Sequence, residues 1–162
     1  MLHVAPEECF VIKLTQLLSD GYITADLNNP NVQIKMDITD IPFENQTFDI
    51  VCCSHVLEHV PDDKKALREF YRILKDNGWS ILLVPVNVNK TIEDPSITDP
   101  EERERLFGQS DHVRKYGPDF IDRVREAGFY VTQILPTDFL SEDEISRYKT
   151  TAHTPIYYCT KH

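Results

Sequence analysis

Apolar positions along the chain switch between a two-residue and a three-to-four-residue period, and the switches mark the elements. Met1-Leu2-His3-Val4 is a short apolar run cut off by Pro6. Cys9 to Leu18 has helical spacing, with Phe10, Leu14, Leu17 and Leu18 on one face, and Ser19-Asp20-Gly21 stops it. Tyr22 to Asp26 and Val32 to Met36 read as strands on either side of the turn cluster Asn28 to Asn31. Pro42 to Gln46 is a loop, and Phe48 to Cys53 is the most apolar strand. Asp62 to Lys75 is the clearest helix: Asp62 or Asp63 caps it, and Ala66, Leu67, Phe70, Tyr71, Ile73 and Leu74 form a broad apolar face. Asn77-Gly78 reads as its left-handed stop, and Trp79 to Val84 is a fifth strand ended by Pro85.

Residues 86–117 are irregular, broken by Pro95, Pro100 and Gly108, with a charged surface helix over Asp99 to Leu106. A connection this long in a compact domain is a functional loop or lid. Pro118 to Ala127 is a helix with Pro in its first turn and Gly128 as its stop. Phe129 to Leu135 and Ile156 to Thr160 are the last strands, with a surface turn or short helix over Glu142 to Arg147. Strands alternating with helices imply an α/β fold with a mostly parallel sheet and helices on both faces. A chain of 162 residues without internal repeats fits one domain, residues 1–162.

Charge narrows the ligand. The formal net charge is -10, which argues against nucleic acid and anionic membranes, since phosphate contacts need clustered Lys and Arg. Cys9, Cys52, Cys53 and Cys159 are scattered, and Cys52 and Cys53 are strand neighbours whose side chains point to opposite faces. Residues 1–20 lack the basic start and cleavage site of a secretory leader, and no apolar run is long enough to span a bilayer. Free buried thiols in a reducing cytoplasm are expected.

Polar residues gather where strands stop. Asp37 ends one apolar run and Ser54-His55 end the next. Ligands of open α/β sheets bind outside the carboxyl ends of strands, so a small molecule is expected across these tips.

From residue 37 onward the pattern resembles the class I S-adenosylmethionine-dependent methyltransferases. The matching residues are Asp37 to Phe43, Phe48 to Val51, His55-Val56-Leu57-Glu58-His59, Ala66-Leu67, Glu69, Arg72 to Lys75 and Gly78-Trp79. The likeness runs from about Leu2 to Gly128 when its weaker N-terminal part is included. It implies a Rossmann-like, seven-stranded sheet of order 3-2-1-4-5-7-6 with strand 7 antiparallel. It also implies S-adenosyl-L-methionine as cofactor and a small-molecule acceptor as substrate. No nucleic-acid or membrane partner is expected, and a homo-oligomer is left open.

Residue by residue, the resemblance puts Asp26, with Leu27 beside it, at the carboxylate position that holds the ribose hydroxyls. Asp37 and Ile38 fall at the adenine position. Ser54 and His55 fall beside the methionine part. The first strand of the family usually ends in an acidic residue and a glycine-rich loop, because glycine lets backbone approach the cofactor. Here His3 replaces the acid, and Ala5 and Glu7 stand where glycines are expected. The start His3-Val4-Ala5-Pro6-Glu7 and the later Phe107-Gly108-Gln109-Ser110-Asp111-His112-Val113-Arg114 both resemble those of a subgroup with this trait. The helix that commonly precedes strand 1 is also missing from the pattern, so a partly uncovered cofactor, or cover from another chain, is expected.

Several residues carry two readings. His55, at a strand end, and His112, in the long loop, are the expected catalytic groups, each able to take a proton near neutral pH. Glu58, His59, Asp111, His112 and Tyr116 are the expected substrate side. Against this, Glu58 and His59 could cap the following helix, Asp111 and His112 could pair in an exposed loop, Tyr116 could simply pack, and His3 could be a satisfied core histidine. His55-x-x-Glu58-His59 also spells an inverted zincin motif. Zinc explains only those three residues while the family resemblance explains the flanks, so no metal is expected. The competing function is a non-catalytic methyltransferase-like module that binds a partner.

Overall fold

The computed structural model describes residues 1–151 and 154–161. His153 and His162, which carry no message in the sequence, lie outside the described residues. The elements in order are β1 (Leu2–Val4), α1 (Glu8–Leu18), β2 (Ile23–Asp26), β3 (Ile34–Lys35), β4 (Phe48–Ser54), α2 (Asp63–Ile73), β5 (Leu74–Leu83), β6 (Ile92–Glu93), α3 (Pro100–Phe107), β7 (Arg114–Lys115), α4 (Phe120–Glu126), β8 (Tyr130–Ile134), α5 (Glu142–Tyr148) and β9 (Ile156–Thr160).

Seven strands form one sheet of order β3-β2-β1-β4-β5-β9-β8. The first five are parallel, with Val4 opposite Ala25 on one side and Cys53 on the other. β9 runs antiparallel to both β5 and β8. This is the expected order, with the final hairpin inserted as strands 7 and 6. Chain direction across the sheet reverses its sequence order between β1 and β4, and in open α/β sheets such a switch point opens a crevice beyond the strand ends.

The core is apolar and continuous. Leu2, Val51, Cys53, Leu82 and Tyr157 from the strands meet Ala66, Leu67, Phe70 and Ile73 of α2, all fully buried. Asp62 caps α2 by accepting from the Lys65 amide at 2.9 Å. Ser141 and Glu144 close a capping box on α5, and Gly128 ends α4 with φ 108°.

Three expectations are corrected. The helix over residues 9–18 forms, but its apolar face stays open: Phe10 is 51% and Leu17 69% exposed, and no residue of α1 is buried. Amphipathic spacing identifies a helix without guaranteeing that a surface lies opposite it. Asn77-Gly78 does not stop α2, which ends at Ile73 and passes directly into β5 through an extended Leu74. Gly78 sits in a bulge where the pairing steps from Phe48–Leu74 to Ile50–Trp79. A Cβ on Gly78 would lie 2.9 Å from the Asp49 carbonyl oxygen, so close approach, not handedness, calls for glycine there. The irregular segment 86–117 also contains a small antiparallel pair, β6 with β7, that periodicity over two residues cannot reveal.

Candidate active site

A cleft of about 520 Å³ opens at the switch point, within the range of small-molecule sites. Its walls come from the tip of β1 (Val4, Ala5), the tip of β2 (Asp26, Leu27), the segment after β3 (Asp37, Ile38, Thr39) and the turn after β4 (His55, Val56, His59).

The β1 exit explains how a glycine-free loop is built. Ala5 adopts φ 47°, the left-handed region in which glycine is ordinarily found. Its amide is held by the Ala25 carbonyl at 2.8 Å. Next to it, the buried His3 ring is gripped from both sides: Nδ1 lies 2.8 Å from the Tyr22 hydroxyl and Nε2 2.9 Å from the Glu7 carboxylate. Both ring nitrogens are thereby used. His3 and Glu7, expected to touch the cofactor, form a strut that ties β1 to the start of α1, and neither lines the cleft. Burial raises the Tyr22 hydroxyl above its ordinary pKa, keeping it neutral beside His3.

The β4 exit repeats the device. His55 also has a positive φ, 53°, and its amide donates to the Leu83 carbonyl at 3.0 Å. Adjacent strand tips thus both turn through a non-glycine left-handed residue, each at a cost of about 1–2 kcal/mol, and such residues gather at functional sites. Ser54 ends β4 half-buried and is not part of the cleft wall.

The two expected nucleoside-binding carboxylates are pre-positioned. Asp26 Oδ1 accepts from the amides of Asn28 and Asn29, both at 2.7 Å. Asp37 Oδ1 accepts from the Thr39 amide at 2.7 Å and its hydroxyl at 2.8 Å. One oxygen of each carboxylate is thereby fixed by its own loop. Ile38 beside them is 5% exposed. The cleft is also lined by Asp62 and Asp111, and among the described residues no Lys or Arg lines it.

A second hollow, about 300 Å³, lies beyond His55 and His59, which line both spaces. Glu58, Pro85, Asn87, His112 and the Phe107 to Gln109 turn also line it. Glu58 is 2% exposed. Its Oε1 lies 3.5 Å from His55 Nδ1, and its Oε2 has no partner among the described residues. His59 Nδ1 lies 3.1 Å from the Asp111 carboxylate. His112 Nδ1 lies 3.2 Å from the Phe107 carbonyl, and its ring stands edge-to-face on that of His59 with centroids 4.6 Å apart. Glu58, His59 and His112 each bring one metal-ligating atom within 4.8 Å of the others.

Asp111 and His112 therefore do not pair with each other as an exposed loop; each reaches the Glu58–His59 segment separately. Tyr116, expected on the substrate side, is fully buried, and its hydroxyl donates to Asp63 at 2.6 Å. Sequence reasoning does not single out Arg114, the last residue of the motif ending Asp-His-Val-Arg. It is 3% exposed and donates to the carbonyls of Leu57, Val60 and Pro61, clamping the segment that carries Glu58 and His59. Its place at the end of the Phe107 to Arg114 motif is the one signal in the sequence that points to it.

Residues 17–82 match the family model described as a methyltransferase domain. An uncharacterized protein of Methanocaldococcus jannaschii is 42% identical over 67 residues, 41% of this chain and 29% of that protein. The 2-methyl-6-phytyl-1,4-hydroquinone methyltransferase 1 of Oryza sativa subsp. japonica is 30% identical over 112 residues, 63% of this chain and 34% of that protein. The chain thus spans roughly a third of the length of these curated relatives. The fold is shared with the solved 1,6-didemethyltoxoflavin-N1-methyltransferase of Burkholderia thailandensis, with a TM-score of 0.64 at 13% identity over 99% of this chain and 70% of that one. Residues 17–82 thus match a methyltransferase-domain model, and the sheet, with a cleft at its switch point, has the fold of a solved methyltransferase.

Proposed function

We propose that this domain binds S-adenosyl-L-methionine in the larger cleft and supports transfer of its methyl group to a small-molecule acceptor held in the smaller hollow. The observation that carries the reading is the charge of the cleft. Asp26, Asp37, Asp62 and Asp111 line it, with no Lys or Arg among the described residues. Such a wall repels phosphates and favours a ligand with positive charge. A nucleoside bearing a sulfonium and an ammonium meets that demand; dinucleotides and nucleoside phosphates do not.

In this reading the free oxygen of Asp26 accepts from the ribose diol, with Leu27 beside it. Asp37 accepts from the adenine amine, and Ile38 packs on the ring. Ala5 brings the β1 backbone near the amino-acid part without glycine, because its left-handed conformation already makes the turn. The cofactor supplies an electrophilic methyl group when bound. The chain orients the acceptor, excludes water and accepts one proton. His55 suits the role of proton acceptor. Its Nδ1 lies 3.5 Å from Glu58 Oε1, which sets a carboxylate beside the ring. The rice relative is named for a hydroquinone and the Burkholderia enzyme holds 1,6-didemethyltoxoflavin, which supports an acceptor of similarly small size. No helix among the described residues is long and apolar enough to cross a membrane.

Calorimetric titration with S-adenosylhomocysteine tests the proposal. Saturable binding is expected, weakened ten-fold or more by Asp26→Ala, since hydrogen bonds to a charged group contribute about 1.5–3 kcal/mol. ATP and NAD at the same concentration give no heat. Silence toward millimolar S-adenosylhomocysteine, in heat and in thermal shift, refutes it.

A further inference from the structure

We propose that Glu58, His59 and His112 form a mononuclear site for a divalent transition metal of the zinc class, with one coordination position open to the smaller hollow.

Two imidazoles and a carboxylate are a recurring donor set for such ions, completed by water or substrate at the remaining position. The hydrogen bonds around the triad decide which atoms are free to ligate. The Phe107 carbonyl can only accept, so His112 Nδ1 carries the proton and Nε2 keeps its lone pair. The Asp111 carboxylate does the same for His59. A metal-binding histidine typically has its distal nitrogen tied to a carbonyl or carboxylate in this way, which fixes the tautomer and the ring.

Glu58 supplies the independent sign of a missing ligand. Its Oε2 is buried and, among the described residues, accepts from nothing. An unpaired buried carboxylate oxygen is costly, because desolvation of the charge goes uncompensated. No Lys or Arg among the described residues lines the hollow to offset it. A cation between Oε2 and the two ring nitrogens removes that cost, and Oε1 stays directed at His55.

The triad is held by the fold rather than by chance proximity. The Val113 amide donates to the Glu58 carbonyl at 2.9 Å, joining the two segments beside the ligands. Arg114 clamps the carbonyls on either side of Glu58 and His59. A tetrahedral ion sets its ligand atoms about 3.4 Å apart, so binding draws the 4.8 Å triad inward. His59 is the least buried of the three. The zincin spelling of the sequence would use His55 and His59. The fold instead exposes His55 and brings His112 from the long loop.

Taken with the methyltransferase reading, on which this last step rests, the open position selects acceptors that carry a ligating hydroxyl, thiol or amine. A hydroxyl held there would be made more acidic; it would give its proton to His55 and attack the cofactor's methyl carbon as the S–CH3 bond breaks, leaving the neutral thioether.

The test uses the chain freed of metal by chelator and titrated calorimetrically with Zn²⁺, without any nucleoside. One equivalent is expected to bind, with affinity reduced 100-fold or more by His59→Ala, His112→Ala and Glu58→Gln, while His55→Ala keeps the stoichiometry. Substitution by Co²⁺ should give visible bands of a four-coordinate site and two exchangeable, hyperfine-shifted proton resonances, one for each ligating imidazole. That spectrum of the unmodified chain decides the matter should a variant fail to fold. Absence of saturable Zn²⁺ binding, unchanged affinity in folded variants, or a Co²⁺ spectrum without the two imidazole protons overturns the site. Loss of S-adenosylhomocysteine binding alone would leave it standing.

Discussion

The Tyr116 hydroxyl donates to Asp63 Oδ2 at 2.6 Å across 53 residues of sequence, with both side chains buried. The same carboxylate receives two 3.0 Å hydrogen bonds from Arg123, which also reaches Glu93 at 2.6 Å. Arg114 completes the cluster through Glu93 at 3.0 Å. Burial, reinforced by the negative Asp63, pushes the Tyr116 hydroxyl far above its ordinary pKa, so it remains a donor at any physiological pH.

Asp63→Ala leaves two arginines facing a buried gap and should cost about 3–5 kcal/mol. Tyr116→Phe removes one donor and should cost about 1–2 kcal/mol. Urea unfolding measures both, and equal losses would contradict the hub role of Asp63.

Ala5 carries the strain of the β1 exit at φ 47°. Ala5→Gly should leave stability unchanged or raise it by up to about 1 kcal/mol, the relief of strain outweighing the added freedom of the unfolded chain. Ala5→Val should lower it by about 2 kcal/mol or more, because a β-branched residue tolerates this region worst. Thermal unfolding of the two variants gives the signs directly.

Glu69 and Arg72 clasp the loop behind Ile38. Glu69 accepts from the Ile41 amide at 2.9 Å, and Arg72 donates to the Ile41 and Phe43 carbonyls at 2.9 and 2.7 Å. The Arg72 hydrogen bond, above all, holds the Glu69 carboxyl below its usual range. A depressed folded pKa contributes stability that is complete above the unfolded value, about 4.3, and disappears as pH falls through the folded one. The gap between the natural chain and Glu69→Gln should therefore be about 1–2 kcal/mol at pH 7 and close in acid. A gap that stays constant from neutral to strongly acidic pH would speak against the clasp.

All four cysteines are free thiols, in unequal surroundings. Burial pushes Cys52 to about 11, Cys159 to about 12 and Cys53 well above its ordinary value, whereas Cys9 is exposed on α1. A thiol reagent at mildly alkaline pH should label one cysteine quickly and the other three only on unfolding. Loss of the fast phase in Cys9→Ser identifies it.

Local signals are legible in the sequence and distant partnerships are not. β9 has the bounds its apolar run suggests, Ile156–Thr160, and the cap of α2 is one of the two aspartates expected, Asp62. Strand order comes from the family resemblance, since periodicity does not say which strands are neighbours. The carboxylates Asp26 and Asp37 reach the cleft because strand-end residues must. Asp63 beneath Tyr116, the Leu57, Val60 and Pro61 carbonyls around Arg114 and the His59 ring against His112 all lie more than fifty positions away, where spacing carries no information. Gly78 misleads for a related reason: the Asp49 carbonyl that forbids a side chain there belongs to the neighbouring strand.

His55 and His59 stand as a partition with a hollow on each side. An occupant of either side would meet the same two rings. If filling one side changes affinity on the other by some factor, the reverse experiment must return that factor. A ligand that turned either ring would reshape the wall of both compartments at once.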